Sequence, residues 1–149
     1  LMKNEIKKAK FFCEKSKMIT LADDTGLFVK SLNGEPGLHT RRWHAGSDYD
    51  RCVKLLERLK NKKREAYYEW AVAAYNPSNK KVFTYECTAN GFISDTFNGE
   101  GGFGYDQIFK LALMDKHYAE LTLQELIQIS GRGRGPKELI FNTNFLRES

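Results

Sequence analysis

The chain reads as an α/β protein with a mixed, twisted sheet and flanking helices, and three observations carry that expectation. Amphipathic helical stretches alternate with short β-rich runs along the whole length. Two such runs, residues 66–75 and 82–90, are separated by Asn76-Pro77-Ser78-Asn79, a turn-forming tetrapeptide that makes them an antiparallel pair. No internal repeat or long linker divides the 149 residues, so a single domain over residues 1–149 is expected. Pattern alone leaves the class open between α/β and α+β.

Residues 4–17 have helical spacing. Ile6, Ala9, Lys10 and Cys13 share one side with Phe12 beside them, while Lys3, Lys7 and Lys15 favour water. The chain begins inside this helix without a cap, which leads us to expect a preceding segment. Met18-Ile19-Thr20-Leu21-Ala22 then reads as a strand that ends on Asp23 and Asp24. Thr25-Gly26 reads as a turn, and Leu27-Phe28-Val29 as a second strand leading to the Asn33-Gly34 hairpin signal. Residues 36–43 look irregular. Ser47-Asp48 caps a helix over residues 49–61 with Val53, Leu55, Leu56 and Leu59 as its apolar stripe.

After the antiparallel pair, a glycine-dense loop (Asn98-Gly99-Glu100-Gly101-Gly102-Phe103-Gly104-Tyr105-Asp106) leads into Gln107-Ile108-Phe109-Lys110. Thr122 with Glu125 forms a capping box for a helix over residues 123–129. Ser130-Gly131-Arg132-Gly133-Arg134-Gly135 reads as a basic loop, and residues 138–146 as a last apolar-periodic stretch.

Composition narrows the field. Hydrophobic content of 41% with 29% charged residues is globular, and no apolar run approaches the ~20 residues of a membrane span. The first residues lack a signal-peptide core, so a cytoplasmic location and no membrane partner are expected. Cys13, Cys52 and Cys87 are odd in number and widely spaced, which suits buried, reduced thiols. The net charge of +5 suits an anionic ligand but is ordinary for a globular surface.

Three stretches carry candidate chemistry. Adjacent residues on a strand point to opposite faces, so at most one of Asp23 and Asp24 faces a pocket while the other braces the turn. One such carboxylate can help hold a hard cation; an ordinary Asx turn is the alternative. The four glycines between Gly99 and Gly104 let backbone amides approach a phosphate or purine. Phe103 and Tyr105 offer ring faces for stacking, and Asp106 offers a carboxylate for the base edge. A tight hairpin packed on its own core is the alternative there. Arg132 and Arg134 are donors suited to phosphate or a base carbonyl, or else belong to a solvated loop. His39, His44 and His117 lack metal-ligand spacing, and no Walker-type phosphate loop is present.

In this order the stretches resemble the inosine/xanthosine triphosphate pyrophosphatase family of house-cleaning nucleotidases. Ala22-Asp23-Asp24-Thr25-Gly26-Leu27 with Asn33-Gly34-Glu35-Pro36-Gly37 resembles A-D-D-S-G-L…L-x-G-x-P-G. Thr40-Arg41-Arg42-Trp43 is similar to S-A-R-Y, and residues 101–109 to G-x-G-F-G-Y-D-P-x-F. Ala119-Glu120-Leu121 through Ser130-Gly131-Arg132-Gly133 resembles A-E-L…K…S-H-R-G, and Asn4-Glu5-Ile6-Lys7-Lys8-Ala9 resembles N-A-x-x-K-A.

The resemblance implies Mg²⁺-dependent hydrolysis of a noncanonical purine nucleoside triphosphate (ITP, dITP or XTP) to the monophosphate and pyrophosphate. Asp24 would hold Mg²⁺ and act as base on the attacking water, with Asp23 supporting the metal. Lys8 would meet the phosphates and Thr25 the substrate. Phe103, Gly104, Tyr105 and Asp106 would form the base pocket, with Gly131 and Arg132 beside the 6-oxo group. A homodimer is implied, and nucleic acid is not an expected partner. Relative to the family the N-terminal strand and its phosphate-binding [ST]-x-N-x-x-K loop are missing. The family lysine falls on Leu126, its histidine on Gly131, its proline on Gln107 and an acidic residue on Lys3. Two rival readings follow: a catalytically impaired homologue that binds nucleotides or a protein partner, and a basic nucleic-acid-binding module.

Overall fold

The computed structural model describes residues 2–38 and 40–146, with the backbone alone at residues 40, 41 and 143; His39 lies outside them. In chain order the elements are helix α1 (Met2–Ser16), strands β1 (Thr20–Val29) and β2 (Pro36–Gly37), and helices α2 (Thr40–Trp43) and α3 (Asp48–Arg58). Strands β3 (Glu65–Asn76), β4 (Lys81–Ile93) and β5 (Phe109–Leu111) follow, then helices α4 (Leu123–Ile129), α5 (Gly131–Phe141) and α6 (Thr143–Leu146). Single 3₁₀ turns occupy Lys30–Leu32 and Tyr118–Glu120. The strands form one sheet in the order β2-β1-β3-β4-β5, and both edge pairings are antiparallel, Leu27 opposite Gly37 and Phe92 opposite Lys110. The α/β expectation holds.

Two local expectations change. β1 is one ten-residue strand that runs straight through Thr25-Gly26. Gly26 serves packing and makes no turn: a Cβ there would lie 2.7 Å from the Phe28 ring. The hairpin follows where expected, with Asn33 at φ 54° and Gly34 at φ 86°, the left-handed pair that a tight return favours. The second correction concerns residues 130–135, which form the start of α5. Ser130 is the N-cap, its hydroxyl accepting from the Gly133 amide at 3.2 Å. Glycine has poor helix propensity, but here its small size lets the helix sit close to β3. A Cβ at Gly131 would fall 2.2 Å from Trp70 Cβ, and one at Gly135 would fall 3.0 Å from the Val72 methyls.

The chain divides into two compact units. The first, Leu1–Thr25, Trp70–Thr88 and Ile127–Ser149, buries Ala9 and Cys13 of α1, Trp70 through Ala74 of β3, and a cluster of Ala74, Phe83, Leu139 and Phe145. The second, Gly26–Glu69 and Ala89–Leu126, is built around Leu27, Leu55, Leu59, Ile93, Ile108 and Phe109. In α3 the Ser47 cap is reciprocal: the Ser47 hydroxyl accepts from the Asp50 amide at 3.1 Å, and Asp50 Oδ2 accepts from the Ser47 amide at 2.8 Å. The Thr122–Glu125 capping box also forms as expected. All three cysteines are free and buried, as their spacing suggested.

Candidate functional site

The first unit carries a cluster of charge. β1 presents Asp23 and Asp24 in succession, both partly buried. Asp24 Oδ1 accepts from the Thr25 amide at 2.9 Å, which fixes the carboxylate against its own strand. Asp23 Oδ2 accepts from Arg132 Nε at 2.5 Å, an ion pair whose arginine side chain is 57% exposed. A pair that wet contributes at most about 1 kcal/mol, so a ligand that bonds either partner can displace it. The sequence reading places Arg132 at a base and Asp23 beside a metal; in the structure the two meet each other. Arg134, two residues on, lies with its guanidinium 5.8 Å from the Tyr85 ring centroid.

On α1, Lys8 donates to Glu5 Oε1 at 2.8 Å. That bond, with Asp24 and Asp23 nearby, holds the Lys8 ammonium above the usual lysine pKa against the opposing effect of burial. Lys8 is half exposed, whereas Glu5 is fully buried and its Oε2 has no hydrogen-bond partner. Sequence reasoning did not single out Glu5. The signal was present, because Glu5, Ala9 and Cys13 repeat every four residues and form the buried stripe of α1. Lys8, Asp23, Asp24, Thr25, Gly131 and Arg132 all belong to this unit. Gly131 is buried and lined by Trp70.

The second unit carries the glycine loop. Phe103 is 68% exposed and Tyr105 is 2% exposed, so two aromatics one residue apart have opposite situations. Tyr105 packs edge-on to Trp43, with ring centroids 6.4 Å apart. Asp106 is buried, and its two oxygens are used inside the protein: Oδ1 accepts from the Tyr68 hydroxyl at 2.7 Å and Oδ2 from the Phe103 amide at 2.9 Å. Burial, reinforced by Asp106, pushes the Tyr68 phenol well above its ordinary pKa. Gly102 and Gly104 adopt φ of 78° and 62°, the left-handed region that a side chain disfavours. Asp48 of α3, which the sequence reading used only as a cap, accepts from the Gly104 amide at 2.9 Å. Cys52 Sγ donates to the Gly104 carbonyl at 3.4 Å, and burial raises its thiol pKa to about 12.

Among the described residues, no three His, Cys, Asp or Glu side chains gather into a metal cage. Asp23 and Asp24 are adjacent carboxylates on the continuous strand β1.

A family model described as the Ham1 family matches residues 1–141. The dITP/XTP pyrophosphatase of Thermoanaerobacter pseudethanolicus is 40% identical over 135 residues, covering 87% of this chain and 67% of its own length. The Staphylococcus aureus Ham1 protein superposes with a TM-score of 0.77 at 35% identity, over 92% of this chain and 72% of that one. A HAM1 protein from Coxiella burnetii gives a TM-score of 0.79 at 31% identity, over 93% and 73%. The chain belongs to the Ham1 family. It spans about two thirds of the length of the curated pyrophosphatase it matches.

Proposed function

We propose that the chain hydrolyses noncanonical purine nucleoside triphosphates of the ITP, dITP and XTP type, releasing the monophosphate and pyrophosphate. The observation that carries this reading is the family match over residues 1–141, with Asp23, Asp24 and Lys8 clustered in one unit. Water adds to the α-phosphorus, the α–β bridging oxygen departs with pyrophosphate, and the water's proton passes to the Asp24 carboxylate. Lys8, held by Glu5, offers a fixed positive charge to the triphosphate. Thr25 contacts the substrate beside it.

The cofactor we assign is Mg²⁺, which when bound neutralises phosphate charge. It takes one or two carboxylates and fills its remaining positions with phosphate oxygens and water. Asp24, with Asp23 once Arg132 has let go, fits that demand. Phe103 is assigned to the purine face. Gly104, Tyr105 and Asp106 shape the loop that carries it, and in the first unit Arg132, once free of Asp23, is a donor suited to an oxo group. A donor such as Arg132 favours an oxo over an amino purine, because adenine would leave it unpaired.

The test incubates the purified chain with Mg²⁺ and ITP, XTP, ATP or GTP, and follows pyrophosphate and monophosphate. Pyrophosphate release selective for ITP and XTP is expected. Orthophosphate release, or equal turnover of ATP, would overturn the assignment. Binding of ITP without turnover would favour the impaired-homologue reading instead. Tight single-stranded RNA binding that collapses with salt would favour the nucleic-acid module. We also assign a homodimer, checked by sedimentation velocity, and a cytoplasmic location, checked by fractionation.

A further inference from the structure

We propose that Asp48 is a positioning residue that aims Phe103 at the purine, an inference that rests on the assignment of Phe103 to the base. An exposed aromatic on a glycine loop would ordinarily sample many orientations, and each lost orientation weakens binding. Here the peptides on both sides of the Phe103 Cα are clamped. Its own amide is held by Asp106 Oδ2 at 2.9 Å, and the next amide, Gly104, is held by Asp48 Oδ2 at 2.9 Å. The Gly104 carbonyl accepts from Cys52 one turn along α3.

Both clamps are themselves braced. Tyr68 fixes Asp106 from the other side at 2.7 Å. Arg51, only 8% exposed, donates to Asp48 Oδ1 at 3.1 Å and to the His44 carbonyl at 3.0 Å. A Cβ at Gly104 would meet nothing within 4 Å, so glycine is needed there for its φ of 62° and not for space. Asp48 is not spent on capping α3, because Ser47 and Asp50 do that between themselves. Its two oxygens go to the loop and to the arginine that steadies it. The arrangement is a preorganised stacking platform with Asp48 as its brace.

The experiment measures dissociation constants for ITP and for inorganic tripolyphosphate by calorimetry on the intact chain, together with hydrogen exchange at the Gly104 amide. Asp48→Ala should weaken ITP binding about tenfold, within the usual worth of base stacking on an aromatic. It should leave tripolyphosphate binding unchanged and speed Gly104 exchange. Asp48→Asn keeps an acceptor and should restore most of the ITP affinity. Adding Phe103→Ala to Asp48→Ala should cost less than about twofold more, the mark of two residues acting through one contact. Unchanged ITP affinity in Asp48→Ala, equal losses for ITP and tripolyphosphate, or full additivity with Phe103→Ala would each overturn the proposal. A parent chain that binds tripolyphosphate but not ITP would sink the purine assignment itself.

Discussion

Asp23 and Asp24 hang from a regular strand, while Phe103 stands on a loop with no ladder beneath it. The strand needs little local help: ten residues of β1 fix the two carboxylates, and a single amide at Thr25 orients Asp24. The loop needs two buried or braced carboxylates, a tyrosine hydroxyl and two left-handed glycines to hold one ring in place. Regular structure therefore carries the two carboxylates with little help, and irregular structure holds its aromatic only through side chains borrowed from elsewhere. Substitution should strike the two regions differently.

The largest effect expected is at the strand. Asp24→Asn keeps the shape and removes the proton acceptor, so pyrophosphate release from ITP should fall about 10²–10⁴-fold, the span of general-base contributions. Release at the parent rate would take Asp24 out of the chemistry. At the loop, Tyr105 and Phe103 should separate cleanly. Tyr105→Ala empties a buried site and should lower the unfolding free energy by about 3 kcal/mol, read from urea midpoints. Phe103→Ala should leave that midpoint within about 0.5 kcal/mol of the parent while weakening ITP binding by about 1–2 kcal/mol. The reverse pattern would exchange their roles.

The smallest effect lies in the cap beneath Asp48. The Ser47 amide, and after it the Ser47 hydroxyl, hold the Asp50 carboxyl below its ordinary pKa. A carboxyl depressed by folding contributes stability above its unfolded pKa and loses it as pH falls through the folded value. Stability from this cap should therefore fade between about pH 4 and the acid limb below it. Asp50→Asn should flatten that limb in urea titrations run from pH 7 to pH 3, and an unaltered slope would remove the cap from the acid response.

The difference between strand and loop also governs what could be read from sequence. Asp23-Asp24 and the helix caps at Ser47 and Thr122 are local patterns, and they were legible. Thr25-Gly26 misleads, because turn propensity is outweighed by a ladder and by the Phe28 ring that fills the space over Gly26. Residues 130–135 mislead for a related reason: glycines that look like a loop serve the close approach of α5 to β3. The two partners of the loop stay hidden because they are remote, with Asp48 56 residues from Gly104 and Tyr68 38 from Asp106. Glu5 was visible only as a break in an apolar stripe.

The close seat of Gly131 on Trp70 limits what position 131 can hold. The motif of the resembled family has a histidine there, which invites the substitution Gly131→His. The atom in the way is Trp70 Cβ, at 2.2 Å, and every residue but glycine possesses that atom. Trimming the indole would not clear it. Placing a side chain at 131 requires the backbone of α5 to rise from β3, which would also disturb the seat of Gly135 against Val72. The glycine at 131 and the depth of the helix are thus one feature, and neither can be altered without the other.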